Sequence, residues 1–358
     1  MNKFLMAGFA AYALMTVAGV AHADDRSPIV SAEPEQFAVL PDGVRFPEGL
    51  TANPATGDIY VGTFDFGPNP NKLLRFASNG HLAAMRDFGG TPLLGLEFDA
   101  AHNKVFILNF GASKVQRIDA QFNSATPVED VATLPKIGAP GPRSVPNPDG
   151  SSDTIIFGSN KFPAPNAMVF DHSGNLYVSD SFQGAIFRID NAKTCAPPCV
   201  MNLVSHDPLL ATAGFPPFGA NGLALSADET ALFIANTGDN RVLKMDLATK
   251  VITVFAESVH GADGLLLDGS GRLWAAANQA DQVVALNAQG RVIARVGQFE
   301  GIRHDGTPEG FLFPASLAIV RDQMYVTNLA LPLTPAVGDE PEEDVQRWTV
   351  SRFKLPKP

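Results

Sequence analysis

From residue 219 the chain reads GANGLALSADETALFIANTGDNRVLKMDLATKVI, and from residue 261 GADGLLLDGSGRLWAAANQADQVVALNAQGRVI. Both stretches alternate apolar and polar positions over five to seven residues, then break at clusters of Gly, Asn, Asp and Ser. A period of two between such breaks predicts short antiparallel strands. Further copies of the unit begin at PEGLTANPATGDIYVGTF (Pro47), LGLEFDAAHNKVFILNF (Leu94), PNAMVFDHSGNLYVSDS (Pro165) and PASLAIVRDQMYVTNL (Pro314). Six units of four strands, repeating about every 45 residues, predict an all-β chain folded as a six-bladed β-propeller.

The ends fit that reading. The last copy stops after its third strand, TVSRFKL, while EQFAVL (residues 35–40) precedes the first copy and resembles the outer strand ITVFAE of another blade. The N-terminal strand is therefore expected to complete the last blade and close the ring, which removes exposed strand edges. The predicted organisation is a leader over residues 1–23 and one propeller over residues 24–358. The leader, MNKFLMAGFAAYALMTVAGVAHA, has an early Lys, a short apolar run and an A-x-A site, so it reads as a signal peptide. An exported protein, periplasmic or secreted and with no membrane span after cleavage, follows from it. One Pro/Gly/Ser-rich gap, residues 134–163, interrupts the repeat. It reads either as a loop that shapes a binding mouth or as a segment with no role.

Composition narrows the picture further. The formal net charge is −11 without any basic cluster, which argues against a nucleic-acid partner and leaves a small molecule as the expected one. The two cysteines, Cys195 and Cys199 in TCAPPC, are expected to form a small disulfide in an oxidising compartment, with free thiols as the other reading.

Aligning the copies places Glu48, Leu94, Asn166, Asn221, Asp263 and Ala315 just before the innermost strands, as a ring around one mouth of the channel. Four of these carry side-chain oxygens and two are anionic. Asn or Asp before Gly often only forms a turn. Four oxygen donors at equivalent positions instead suit a divalent cation, which needs hard ligands and some negative charge. Ca²⁺ fits best, with Mn²⁺ or Mg²⁺ as alternatives; a tight Zn²⁺ site would more often offer His or Cys. The ends of the second strands return to the same face and carry Thr63, Asn109, Asp180, Asn236, Asn278 and Asn328. These are expected to be turn caps. Asp180 and Asn109 are the two assigned a place behind the cation or on substrate. DHSGN and DGSGR lack the spacing of a calcium loop and fall on turns. His260 is the one histidine expected near the mouth.

PEGL, PNAM, ANGLALSADETALFIANT and ADGLLLDGSGRLWAAAN resemble the regucalcin (senescence marker protein)/gluconolactonase family of six-bladed propellers, over about residues 35–355. The resemblance implies a divalent metal held by a glutamate, two asparagines and an aspartate, matched here by Glu48, Asn166, Asn221 and Asp263. It also implies hydrolysis of sugar lactones or other cyclic esters. Two departures bear on the substrate: Ala167 follows the third-blade asparagine where an acidic residue is common, and SDSFQG (179–184) replaces a TDPPYG-like turn. The function expected is an exported, metal-dependent, lactonase-like hydrolase, with Asp263 as general base or nucleophile. The alternative is a non-catalytic exported propeller that binds a ligand or protein and uses calcium structurally.

Overall fold

The computed structural model of the chain describes residues 30–158, 162–334 and 336–357. The leader expected over residues 1–23 lies outside them. Six four-stranded antiparallel sheets follow one another along the chain as blades I to VI. Their innermost strands are Pro47–Ala52, Leu93–Asp99, Pro165–Phe170, Ala220–Leu225, Ala262–Leu267 and Pro314–Val320. Each packs against the next and the sixth packs against the first, so the inner strands enclose a central channel. Among the described residues the helical content is two 3₁₀ turns, Asn278–Ala280 and Pro341–Asp344. The expected all-β, six-bladed propeller is what the chain forms.

Alternation dictates this result. The second strands Ile59–Thr63, Lys104–Asn109, Leu176–Asp180, Ala231–Asn236, Leu273–Ala277 and Gln323–Asn328 are covered by sheet on both faces and are almost wholly buried. The outer strands alternate exposed and buried residues, as in Leu82–Gly89. Between blades, clusters such as Phe37, Val61, Phe76 and Tyr325 fill the wedge with apolar side chains.

Closure occurs as the sequence suggests. Glu35–Val39 pairs antiparallel with Thr349–Lys354, which pairs with Gln323–Asn328, so the two chain ends share blade VI. A further strand, Val30–Ala32, runs parallel to the outer strand Val292–Val296 of blade V and covers that edge. It is too short to leave an alternation signal. The stretch 134–163 is not plain loop either: Arg143–Pro146 and Ser152–Ile155 form a hairpin, tied to the propeller by an Arg143–Asp239 ion pair at 3.0 Å. A second small hairpin, Phe299–Ile302 with Pro308–Gly310, sits between blades V and VI. Cys195 and Cys199 form the expected disulfide. The loop it closes is anchored where the Cys199 amide donates to the Val131 carbonyl of blade II.

Candidate metal centre

Every inner strand carries a register shift at the same point. The pairing skips between Pro47 and Leu50, Leu93 and Leu96, Pro165 and Met168, Ala220 and Leu223, Ala262 and Leu265, and Pro314 and Leu317. A bulge releases a residue from the ladder and re-aims its side chain. The residues released first are Glu48, Leu94, Asn166, Asn221, Asp263 and Ala315, the ring read from the sequence. Five of these six are at most 5 % exposed and line one small cavity; Ala315 is buried without lining it.

The glycine after the ring residue has a different role from the one its dipeptide suggests. A Cβ on Gly222 would lie 2.1 Å from the Asp263 carbonyl oxygen of the next blade, and one on Gly49 would lie 2.0 Å from that of Leu94. Asn221-Gly222 is thus a point of close contact between blades rather than a turn. Blades III and VI carry Ala167 and Ser316 there. Beside them the carbonyls of Asn221 and Glu48 accept hydrogen bonds from the hydroxyls of Ser179 and Thr327, at 2.8 and 2.9 Å.

Hydrogen bonds orient the two asparagines. Asn166 Nδ2 donates to Ser181 Oγ at 2.9 Å, and that hydroxyl donates to the Ala220 carbonyl at 2.7 Å. Asn221 Nδ2 donates to Thr237 Oγ1 at 2.8 Å, and Thr237 donates to the Ala262 carbonyl at 2.7 Å. A hydroxyl has one proton, so once it is given to a carbonyl the hydroxyl can only accept from the amide. The amide nitrogen is thereby fixed toward Ser181 or Thr237, and Oδ1 of each asparagine receives no hydrogen bond among the described residues. In blade V the matching residue is Asn278, whose Nδ2 donates to Asp263 Oδ2 at 3.0 Å.

The two carboxylates are the electrostatic centre. Burial first, and then the nearby Asp263 charge, hold the Glu48 carboxyl well above its usual range. Burial pushes Asp263 up to about 7, against the lowering effect of the Asn278 and Asn221 amides. Glu48 Oε2 is buried with no hydrogen-bond partner. The cavity has a volume of about 40 Å³, room for an ion and a water or two. A buried acceptor without a donor, a second carboxylate beside it and two amide oxygens without partners form a donor set that fits a hard divalent cation.

The expectations for the second-strand ends need three corrections. Asp180 does not face the cavity. Its Oδ1 accepts from the amides of Ala164, Phe182 and Gln183 at 2.9–3.2 Å and its Oδ2 from Gln183 Nε2 at 2.7 Å, a full set of partners in a buried cap. Asn109 is likewise spent on Thr91, Gln116 and the Ala112 amide. Asn278 is out of step with the other caps. Ala277 pairs with Ala262 as Asn236 pairs with Ala220, so Asn278 stands one residue later, level with Ser181 and Thr237. His260 is exposed and does not line the cavity. The DHSGN and DGSGR turns are capped by Asp171 and Asp268 through local amides, as expected of turns.

What sequence reading missed is the position just after each second strand. It is polar in blades III to V (Ser181, Thr237, Asn278) and apolar in blades I, II and VI (Phe64, Phe110, Leu329). Above the ring, Phe64 and Phe218 line the cavity with Phe313, Leu331 and Leu333. Phe110, Phe162 and Phe182 pack edge-on behind them at 5.3–5.7 Å between ring centres. Phe162 comes from the 134–163 stretch and packs against Phe110 and Phe182 without lining the cavity itself. Below the ring the channel widens to about 430 Å³ behind a belt of Leu50, Leu96, Met168, Leu223, Leu265 and Leu317. Two glutamates, Glu97 and Glu229, line it, and burial pushes Glu97 up to about 7.

The part of the chain that carries three of the four oxygen donors is also the part with a sequence match. Residues 164–298 match the family described as SMP-30/Gluconolactonase/LRE-like region. This region is blades III to V, the source of the most specific motifs in the sequence. A lactonase, drp35, of Staphylococcus saprophyticus is 25 % identical over 143 residues; the match spans 36 % of this chain and 40 % of that enzyme's length. The luciferin-regenerating enzyme has the same fold, with a TM-score of 0.60 at 16 % identity over 88 % of this chain and 92 % of that one. So does the calcium-binding protein regucalcin of Agrobacterium tumefaciens, with a TM-score of 0.58 at 16 % identity over 92 % and 98 % of the two chains.

Proposed function

We propose that this propeller is an exported, metal-dependent hydrolase of lactones or related cyclic esters. The observation that carries the reading is the buried, unpartnered Glu48 Oε2 facing the same cavity as Asp263 and the two hydroxyl-oriented asparagines. Two carboxylates in so small and apolar a space repel each other, and folding alone gives no reason to place them there. The lactonase relative supports the reaction type, and the calcium-binding neighbour supports Ca²⁺ as the first ion to try, ahead of Mn²⁺, Mg²⁺ or Zn²⁺. The leader expected from the sequence of residues 1–23 and the Cys195–Cys199 disulfide support export.

Glu48, Asn166, Asn221 and Asp263 are the residues that would hold the cation. When bound, it supplies a positive charge that polarises a carbonyl oxygen and stabilises the oxyanion formed on attack. The protein's own groups do the rest. Asn278 holds Oδ2 of Asp263, which leaves Oδ1 to take a proton from water or to attack the carbonyl itself. In the overall reaction water adds to the carbonyl carbon, the ring C–O bond breaks, and the ring oxygen leaves as an alcohol after taking up a proton. The apolar wall keeps bulk water from the carboxylates.

Hydrolysis of a lactone panel, measured with Ca²⁺, Mn²⁺ or Zn²⁺ and with chelator, tests the proposal. Turnover should need the ion and should be lost in Asp263→Asn with the fold intact. A chelated protein that only melts earlier, and no lactone turned over with any ion, would instead indicate a structural cation in a binding protein.

A further inference from the structure

We infer that the site takes a lactone carrying an apolar substituent, alkyl or aryl, rather than a polyhydroxylated one; this rests on the hydrolase reading above. The first observation is the lack of hydrogen-bonding capacity above the ring. No Arg, Lys or His lines the cavity. The donors that line it are committed: the Asn166 and Asn221 amide nitrogens to Ser181 and Thr237, the Thr237 hydroxyl to a backbone carbonyl, and the Asn278 amide nitrogen to Asp263, while Asn278 Oδ1 has no partner but is fully buried. Substrate hydroxyls would therefore lose water and find no free side-chain donor and no exposed side-chain acceptor beyond the ring oxygens. Each such hydroxyl costs on the order of tenfold or more in binding.

The second observation is the wall itself. Phe64, Phe218, Phe313, Leu329, Leu331 and Leu333 face the ring of oxygens. The apolar surface does not stop at the cavity. Phe66 packs edge-on against Phe64 at 4.7 Å between ring centres and is 65 % exposed, and Phe215, next to the lining Pro216, is 57 % exposed. Large aromatic side chains left in water around a small polar site form a track for an apolar ligand. Because the cavity itself has room for little more than an ion and water, a carbonyl that reaches the ring brings the rest of its molecule against this track.

The test compares three six-membered lactones: unsubstituted, alkyl-substituted with increasing chain length, and polyhydroxylated. In the wild type, kcat/KM should rise by up to about fourfold per methylene over the first carbons. The polyhydroxylated lactone should fall at least tenfold below the unsubstituted one. Phe218→Ser and, at a second point of the wall, Leu331→Asn should each cut the ratio of long-chain to unsubstituted kcat/KM about tenfold. Hydrolysis that requires Asp263 but shows no chain-length dependence, or that favours the polyhydroxylated ring, overturns this inference and leaves the hydrolase reading standing. A cyclohexanone bearing the same alkyl chains, which cannot be cleaved, separates the two. Chain-length-dependent binding that Phe218→Ser weakens, with no lactone hydrolysed, supports the apolar site and sinks the hydrolase. No chain-length dependence in binding sinks the apolar site.

Discussion

Blades IV and II offer the same bulge to the same channel and use it in opposite ways. Blade IV presents Asn221, with Thr237 behind it to hold the amide; blade II presents Leu94, with Phe110 behind it. The pairing of the first two strands (Ala220 with Asn236, Leu93 with Asn109), the bulge within it and the glycine after the ring residue (Gly222, Gly95) match. Propeller geometry therefore fixes where a side chain will be, and the side chain, together with the residue behind it, decides between ligand and wall. The mouth as a whole divides this way. A polar arc spans blades III to V, an apolar arc spans blades VI, I and II, and Glu48 is the single acidic group set into the apolar arc.

The charged pair should give the largest effects. Glu48→Gln or Asp263→Asn removes one of two buried carboxylates, so Ca²⁺ affinity measured by calorimetry should fall at least tenfold and turnover by about 10²–10³-fold or more. In metal-free protein the same substitutions should raise the melting temperature, because mutual repulsion and burial disfavour the pair. Equal Ca²⁺ affinity in the wild type and both variants would remove the site.

The second effect is on pH. The Asp263 pKa is about 7 when folded, against an ordinary value near 3.8, and Glu48 moves in the same direction. Between those values the folded state binds more protons than the unfolded one, so stability falls as pH rises. With chelator, melts should be highest near pH 4 and weaken as pH rises through about 7, with Glu48 adding to the loss in the same direction. Ca²⁺ should reverse the loss at pH 8. A metal-free protein equally stable at pH 5 and pH 8 would contradict the burial of this pair.

Smaller effects sharpen the contrast between the arcs. Thr237→Val keeps shape but removes the hydroxyl that fixes Asn221 and caps the Ala262 carbonyl. Ca²⁺ affinity should drop roughly threefold to tenfold, and stability by about 1–2 kcal/mol for the lost buried hydrogen bonds. Leu94→Met occupies the same ring in the apolar arc, and its Ca²⁺ affinity should stay within twofold of wild type. If Leu94→Met weakened the ion as much as Thr237→Val, the division into polar and apolar arcs would have no chemical meaning.

Much of this was legible in the chain alone. Alternation and its repeat are local properties, so they set the strands, the number of blades and the strand that closes blade VI. Equivalence of position among copies then set Glu48, Asn166, Asn221 and Asp263 on one ring, since a repeat carries its geometry with it. Cys195 and Cys199 needed only proximity in sequence. The structure decided what depends on neighbours from other blades. It showed the Asn-Gly and Asp-Gly dipeptides to be bulges pressed against the next blade's carbonyl. It withdrew Asp180 and Asn109 into caps and moved Asn278 one step to the side of Asp263, because a one-residue change at a strand end is invisible to pattern but redirects a side chain. It also assembled Phe64, Phe218, Phe313, Leu331 and Leu333 into one wall from loops distant in sequence. No local period links those residues; only the closed ring brings them over the same polar floor.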